Sequence, residues 1–146
     1  MATTATPYGV VFTDLLSGVH NLVSDTTNAA LLTDAYTPDF VNHVSYADVV
    51  ASELTGTGYT AGGAALSGKS ASYNSSTNSA TLNAGSVQWN SLTGTVRYAA
   101  IYKATGTAST SRLIGLVDFL TDRVYSAEPL ELTFPSGVIT ITLQSS

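Results

Sequence analysis

The sequence predicts a single all-β domain, an antiparallel β-sandwich of jelly-roll or immunoglobulin-like type. Three observations carry that prediction. Thr95 to Lys103 alternates, with Val96, Tyr98, Ala100 and Tyr102 on one face and Arg97, Ala99, Ile101 and Lys103 on the other. That is the two-residue period of a strand. Ser70 to Tyr73 and Ser79 to Leu82 flank a polar turn and read as a hairpin. Near the end, Leu130, Leu132 and Phe134 share a face, Pro135-Ser136-Gly137 supplies a turn, and Ile139, Ile141 and Leu143 return opposite Thr140 and Thr142. Short strands with frequent turn signals fit a sandwich or a barrel.

The remaining elements follow in chain order. Residues 1–7 are small and polar and predict a flexible N-terminal arm before a domain over 8–146. Val10-Val11-Phe12 reads as a strand, and Leu15-Leu16 to Leu22-Val23 as a short helix or another strand. Asn28 to Leu32 reads as a strand closed by the turn Tyr36-Thr37-Pro38-Asp39. Over residues 43–53 the spacing of Val44, Ala47, Val49 and Val50 permits one short helix of one or two turns, with Ser45 or Asn42 as its cap. The glycine-rich stretch after it reads as loop and strand. Val87 and Trp89 alternate with Gln88 and Asn90. Thr105 to Ser111 reads as a flexible loop of small residues, and Leu113 to Phe119, apolar on both faces, as a central strand.

Gly63 to Ser70 matches the phosphate-loop pattern, a glycine, four residues, then Gly68-Lys69-Ser70. Leu113 to Asp118 passes for the apolar run and carboxylate that would hold magnesium. The chemistry of such a loop depends on context, because a helix must follow so that its amides and dipole face the phosphates. Here the lysine is followed by Ser70-Ala71-Ser72-Tyr73-Asn74-Ser75-Ser76-Thr77-Asn78. Five serines and threonines and two asparagines in nine residues compete with a helix for its own backbone groups. The segment therefore reads as strand and turn, and no cofactor is expected.

Composition narrows the function. Charged residues make up 10% of the 146, against about a quarter in an ordinary soluble domain. A polar but sparsely charged surface suits extensive protein–protein contact. The net charge of −5 and the five scattered basic residues argue against nucleic acid as a partner. Without cysteine there is no disulfide framework and no thiolate metal site. No stretch has the length of a membrane span, and no secretory signal is expected from the first residues.

No catalytic, cofactor-binding or metal-binding residues are assigned. His20 and His43 lack the spaced neighbours of a zinc site and read as surface or partly buried hydrogen-bonding histidines. Asp34, Asp39 and Asp48 read as turn formers rather than calcium ligands. Asp118, inside the most apolar strand, reads as a carboxylate satisfied by a basic residue such as Arg97. The eight tyrosines and Trp89 read mostly as core or interface residues, with a sugar-stacking face as the rival.

Several segments occur in a telling order. Ala30-Leu31-Leu32-Thr33-Asp34-Ala35-Tyr36-Thr37-Pro38 precedes Glu53-Leu54-Thr55-Gly56-Thr57-Gly58-Tyr59-Thr60-Ala61-Gly62-Gly63. Val87-Gln88-Trp89, Arg97 to Lys103 and Leu113 to Phe119 follow. Over roughly residues 28–143 this resembles a group of small β-rich virion proteins of tailed bacteriophages. The resemblance implies a non-enzymatic virion structural protein, first of all a capsid decoration (cement) subunit that stabilises the head. A tail or head–tail connector component is the alternative, and a host-glycan-binding adhesin module is the rival from another class. The implied partners are the major capsid protein or other virion subunits, within a homo-oligomer, trimer or dimer. The implied location is the outer surface of the particle, after assembly in the host cytoplasm. In such a subunit the arm ordering on contact, threonine-rich edge strands and repeated copies would together give adhesion.

Overall fold

A computed structural model describes residues 5–144, which are mostly β and form two antiparallel sheets that do not close into a barrel. In chain order the strands are β1 (Thr6–Pro7), β2 (Thr27–Leu32), β3 (Ala64–Ala65), β4 (Ser70–Asn74), β5 (Ser79–Asn83), β6 (Val87–Lys103), β7 (Leu113–Leu132) and β8 (Ile139–Thr142). One α-helix, α1 (Gly9–Leu16), lies between β1 and β2. The larger sheet has the order β1-β7-β6-β2-β3 and the smaller β4-β5-β8.

The long β6–β7 hairpin is the frame. Its upper half is flanked by β2 (Leu32↔Tyr98 to Thr27↔Lys103) and by β1 (Thr6↔Leu116, Pro7↔Gly115). Leu113 to Val117 are therefore buried on both faces, as a central strand requires. One core cluster joins the two sheets, with Leu82 and Ile139 of the small sheet packed among Ile101, Ile114 and Val117 of the large one. The second covers the opposite face of the large sheet and holds Tyr8, Leu32, Tyr36, Val49, Tyr98 and Tyr102. Burying each large side chain here contributes about 1.5–3 kcal/mol.

Several expectations need correction. Val10-Val11-Phe12 is helical, not a strand. A three-residue apolar run cannot fix its own period, and here Val11 and Asp14 turn inward while Gly18, at φ +78°, ends the helix. The flexible arm over 1–7 shrinks, because Thr6 and Pro7 pair with β7 and the Ala5 N–H donates to the Val138 carbonyl at 2.8 Å. Residues 1–4 of that arm lie outside the described residues. The short helix over 43–53 is two separate 3₁₀ turns, Tyr46–Asp48 and Val50–Ser52, since the N–H groups of Asp48, Val49, Ser52 and Glu53 all reach back only three residues. Ser45 is the cap residue of the first.

The terminal hairpin is also not a hairpin. Its turn is present, with the Gly137 N–H on the Phe134 carbonyl at 3.1 Å and Gly137 at φ +90°. The chain then crosses to the other sheet, where Val138 donates to the Leu82 carbonyl and β8 pairs with β5. Alternation in β6 breaks as well. Val96 packs with Ala99 and Ile101, not with Tyr98, because a register shift between Val96 and Tyr98 bulges the hairpin and resets the faces. The Thr105–Ser111 loop contains a 3₁₀ turn and is closed by hydroxyl hydrogen bonds, among them Thr105 with Thr110 at 2.6 Å and Ser111 to the Thr107 carbonyl at 2.8 Å.

Candidate functional site

The glycine-rich segment does not build a phosphate loop. Gly68 and Lys69 lead into strand β4, and no helix follows them. The Lys69 ammonium is committed to the Asp25 carbonyl and the Thr27 hydroxyl, and burial lowers its pKa. The glycines serve close packing instead. A side chain on Gly56 or Gly58 would collide with the Thr93 or Ser91 carbonyl of β6, and one on Gly63 with the Ala29 carbonyl of β2. The loop thus lies flat against the backbone of the large sheet and covers the lower edge of β6, where Thr93 donates to the Thr57 carbonyl at 2.9 Å.

Glu53 anchors that loop. Its carboxylate accepts hydrogen bonds from the Tyr59 hydroxyl (2.5 Å), the Gly62 N–H (2.7 Å) and the Tyr46 hydroxyl. Burial first, and then the facing Glu53, push the Tyr46 and Tyr59 hydroxyls well above the ordinary tyrosine range. The Tyr59 oxygen also receives the Leu31 N–H at 3.0 Å. Tyr46 stacks on Tyr102, ring centres 4.6 Å apart and 12° from parallel, and the Tyr102 hydroxyl donates to the Gly62 carbonyl at 2.6 Å. Between this stack, Asn28 and the 104–111 loop lies a cavity of about 370 Å³.

A second cluster ties α1 to the tip of the β6–β7 hairpin. Arg112 holds the buried Asp14 through Nε (2.8 Å) and a terminal nitrogen (3.2 Å), and Lys103 holds Asp25 at 3.2 Å. His20 lies between the two carboxylates, 3.7 Å from Asp14 and 3.9 Å from Asp25. It is buried rather than at the surface, and neither ring nitrogen has a hydrogen-bond partner among the described residues. Burial lowers its pKa against the pull of Asp14. Its nitrogens face carboxylates already held by Arg112 and Lys103.

The other residues singled out in the sequence fall into ordinary places. His43 Nδ1 meets the Tyr36 hydroxyl at 2.8 Å, which meets the Tyr8 hydroxyl at 2.8 Å. Asp39 accepts the N–H groups of Val41 and Asn42 and the Asn42 side chain, whose hydrogen bond is the main cause of its lowered pKa. Burial would raise the Asp48 carboxyl, but the N–H groups of Val44 and Ser45 draw it below its ordinary value. Asp118 pairs with Arg97 at 3.2 Å. No group of three metal-ligating side chains occurs among the described residues. Trp89 and four of the eight tyrosines are buried, Tyr46, Tyr59 and Tyr125 are half-buried, and Tyr73 is strongly exposed. Trp89 packs against Tyr59 rather than offering a platform to a ligand.

Some large apolar side chains do meet solvent. Among the described residues β1 pairs with β7 only at Gly115 and Leu116, and no other described strand pairs with that side of β7 from Asp118 onward. Leu120 (77% exposed) and Val124 (73%) stand there beside Asp122 and Arg123. Leu120 and Ala127 adopt positive φ at the bulges that interrupt this stretch. A groove of about 360 Å³, walled by Leu15, Leu22, Leu82, Ile139 and Ile141, separates the small sheet from the segment after α1. No family model, curated protein or solved structure matches this chain.

Sequence reading missed Glu53 and Asn28, and it named Tyr46 only among the eight tyrosines read as core or interface residues with a sugar-stacking face as the rival. Glu53 carries a weak signal, an acidic residue directly before a glycine-rich run in a chain with few charges. Asn28 carries none, because its neighbours arrive from residues 62 and 102.

Proposed function

We propose that this chain is a non-enzymatic structural subunit of a tailed-phage virion that works by adhesion, most simply as a capsid decoration subunit on the outer surface of the head. The observation that carries the reading is the side of β7 that no described strand covers, with Leu120 and Val124 exposed on a chain that has few charges. An uncovered edge strand with apolar side chains is a template for pairing with another chain. Adjacent Asp122 and Arg123 give this edge both signs. A second copy paired antiparallel therefore brings opposite charges together, and a twofold homodimer follows as the first assembly. The two sheets are read as unequal layers of one sandwich, supported by the core cluster they share. The partner beyond the homo-oligomer is the major capsid protein.

The test is stoichiometry. Quantitative mass spectrometry of purified virions is expected to find copies comparable to the capsid subunit, and recombinant protein is expected to bind emptied heads. A low copy number moves the protein to the tail or the head–tail connector. Its absence from particles overturns the virion reading altogether. Val124→Lys is expected to leave the fold intact and shift the sedimentation profile to monomer.

A further inference from the structure

We propose that residues 17–26, which join α1 to β2, form an acid-released strap: a proton taken up by His20 frees this segment from the tip of the β6–β7 hairpin while both sheets stay folded. The strap lies away from the uncovered side of β7, so it stands or falls independently of the assembly reading.

Charge, more than packing, holds the strap down. Three of the chain's five basic residues converge on it. Lys103 donates to the Val19 carbonyl at 2.7 Å and holds Asp25 at 3.2 Å. Lys69 reaches the Asp25 carbonyl, and Arg112 grips Asp14 at the root of the strap on α1. Within residues 17–26 only His20 is buried, Leu22 and Asp25 are half-buried, and the others are exposed. The N–H groups of Ser24 and Asp25 bond locally, to the Asn21 carbonyl. A segment with few buried apolar contacts opens at a lower free energy than the sheets beneath it. The one deep anchor of this segment is a titratable ring.

The closed strap suits a neutral ring. Asp14 from α1 and Asp25 from the strap face it at 3.7 and 3.9 Å, beyond hydrogen-bond reach. Both carboxylates are already matched, by Arg112 just before β7 and by Lys103 at the end of β6. Lys69, just before β4, adds a third cation. The small sheet presents Ala71, Thr81, Leu82 and Ile139 on this side, none of them titratable. An imidazolium here would be a fourth cation beside two carboxylates, cut off from water. Burial, the largest influence on His20, opposes the charged form for the same reason. A solvated imidazolium carries no such penalty, so each proton bound draws the equilibrium toward the open strap. Opening carries Leu22 off the wall of the groove of about 360 Å³ and uncovers Leu82, Ile139 and Ile141.

The experiment is hydrogen–deuterium exchange of the full chain at pH 7.5 and 5.5, read by mass spectrometry and corrected for the intrinsic pH dependence of amide exchange. Both values lie above the ordinary aspartate range, so Asp14 and Asp25 stay ionised. Amides of residues 19–26 are expected to exchange faster than those of Ala99 to Tyr102 in β6 at both values. Their protection is expected to fall by up to about tenfold per pH unit below about 6.5. His20→Leu is expected to flatten that fall, and His20→Gln serves if the leucine variant does not fold. Strap amides that exchange only together with β6 overturn the proposal, because the strap then opens only when the chain unfolds. So does strap protection that is unchanged or higher at pH 5.5, which would mean a protonated ring that bridges the two carboxylates. An equal fall in the folded His20 variant overturns it as well.

Discussion

Gly63 and Gly106 both have a positive φ, +79° and +89°. Alanine at either position therefore bears a similar conformational cost, roughly 1–2 kcal/mol. Their surroundings differ. At Gly106 an added Cβ meets nothing within 4 Å, whereas at Gly63 it lands on the Ala29 carbonyl and within 2.8 Å of the Ala30 Cα. Ala29 and Ala30 are fully buried, Ala29 paired to β3 and β6 and Ala30 to β6, so this backbone has little room to retreat. Forcing one carbon into such a site costs about 1–3 kcal/mol beyond the φ term. Gly63→Ala should then be less stable than Gly106→Ala by about 2 kcal/mol. For a chain of this size that is a further drop of roughly 6–8 °C in Tm. Urea unfolding followed by circular dichroism, with thermal melts of both variants, reads the difference directly. Equal losses would show that Gly63 does not hold the loop against β2, and the packing account of the glycine-rich segment would fail.

Three further outcomes are expected. Tyr59→Phe leaves the Leu31 N–H buried without its acceptor and should cost about 1–3 kcal/mol in urea unfolding; an unchanged midpoint would mean the Glu53–Tyr59 anchor is not needed. Asp14→Asn breaks the two-point contact with Arg112 and, allowing for solvent on the arginine side, should cost about 1–2 kcal/mol; a double variant with Arg112→Ala should lose less than the sum of the two single variants, and strict additivity would refute the pair. For His20, burial holds the folded-state pKa below the ordinary 6.5, so the unfolded chain takes up the proton first. Its contribution is complete above about pH 6.5 and is lost as the pH falls toward the lower folded value, with Asp14 and Asp25 opposing and Lys103 and Arg112 reinforcing the effect. Urea midpoints at pH 7.5 and 5.5 should differ less in His20→Leu than in the parent; identical pH dependence would refute the assignment.

The sequence alone determined what local pattern controls. Alternation marked β6, the polar turn marked the β4–β5 hairpin, and serines and asparagines after Lys69 excluded the helix a phosphate loop needs. Two-residue periodicity and turn chemistry are properties of a few neighbouring residues, so they survive without a fold around them. The tertiary structure decided everything that depends on a partner far along the chain. It made Val10-Val11-Phe12 helical, because Asp14 finds Arg112 across 98 positions. It sent β8 to β5 instead of back along β7, because the turn at Gly137 seats against Leu82. It reset the faces of β6 at a bulge, and it gathered Asn28, Tyr46, Gly62 and Tyr102 around one cavity. Sheet order, bulges and cavities arise from which surfaces meet, and a one-dimensional pattern does not specify that.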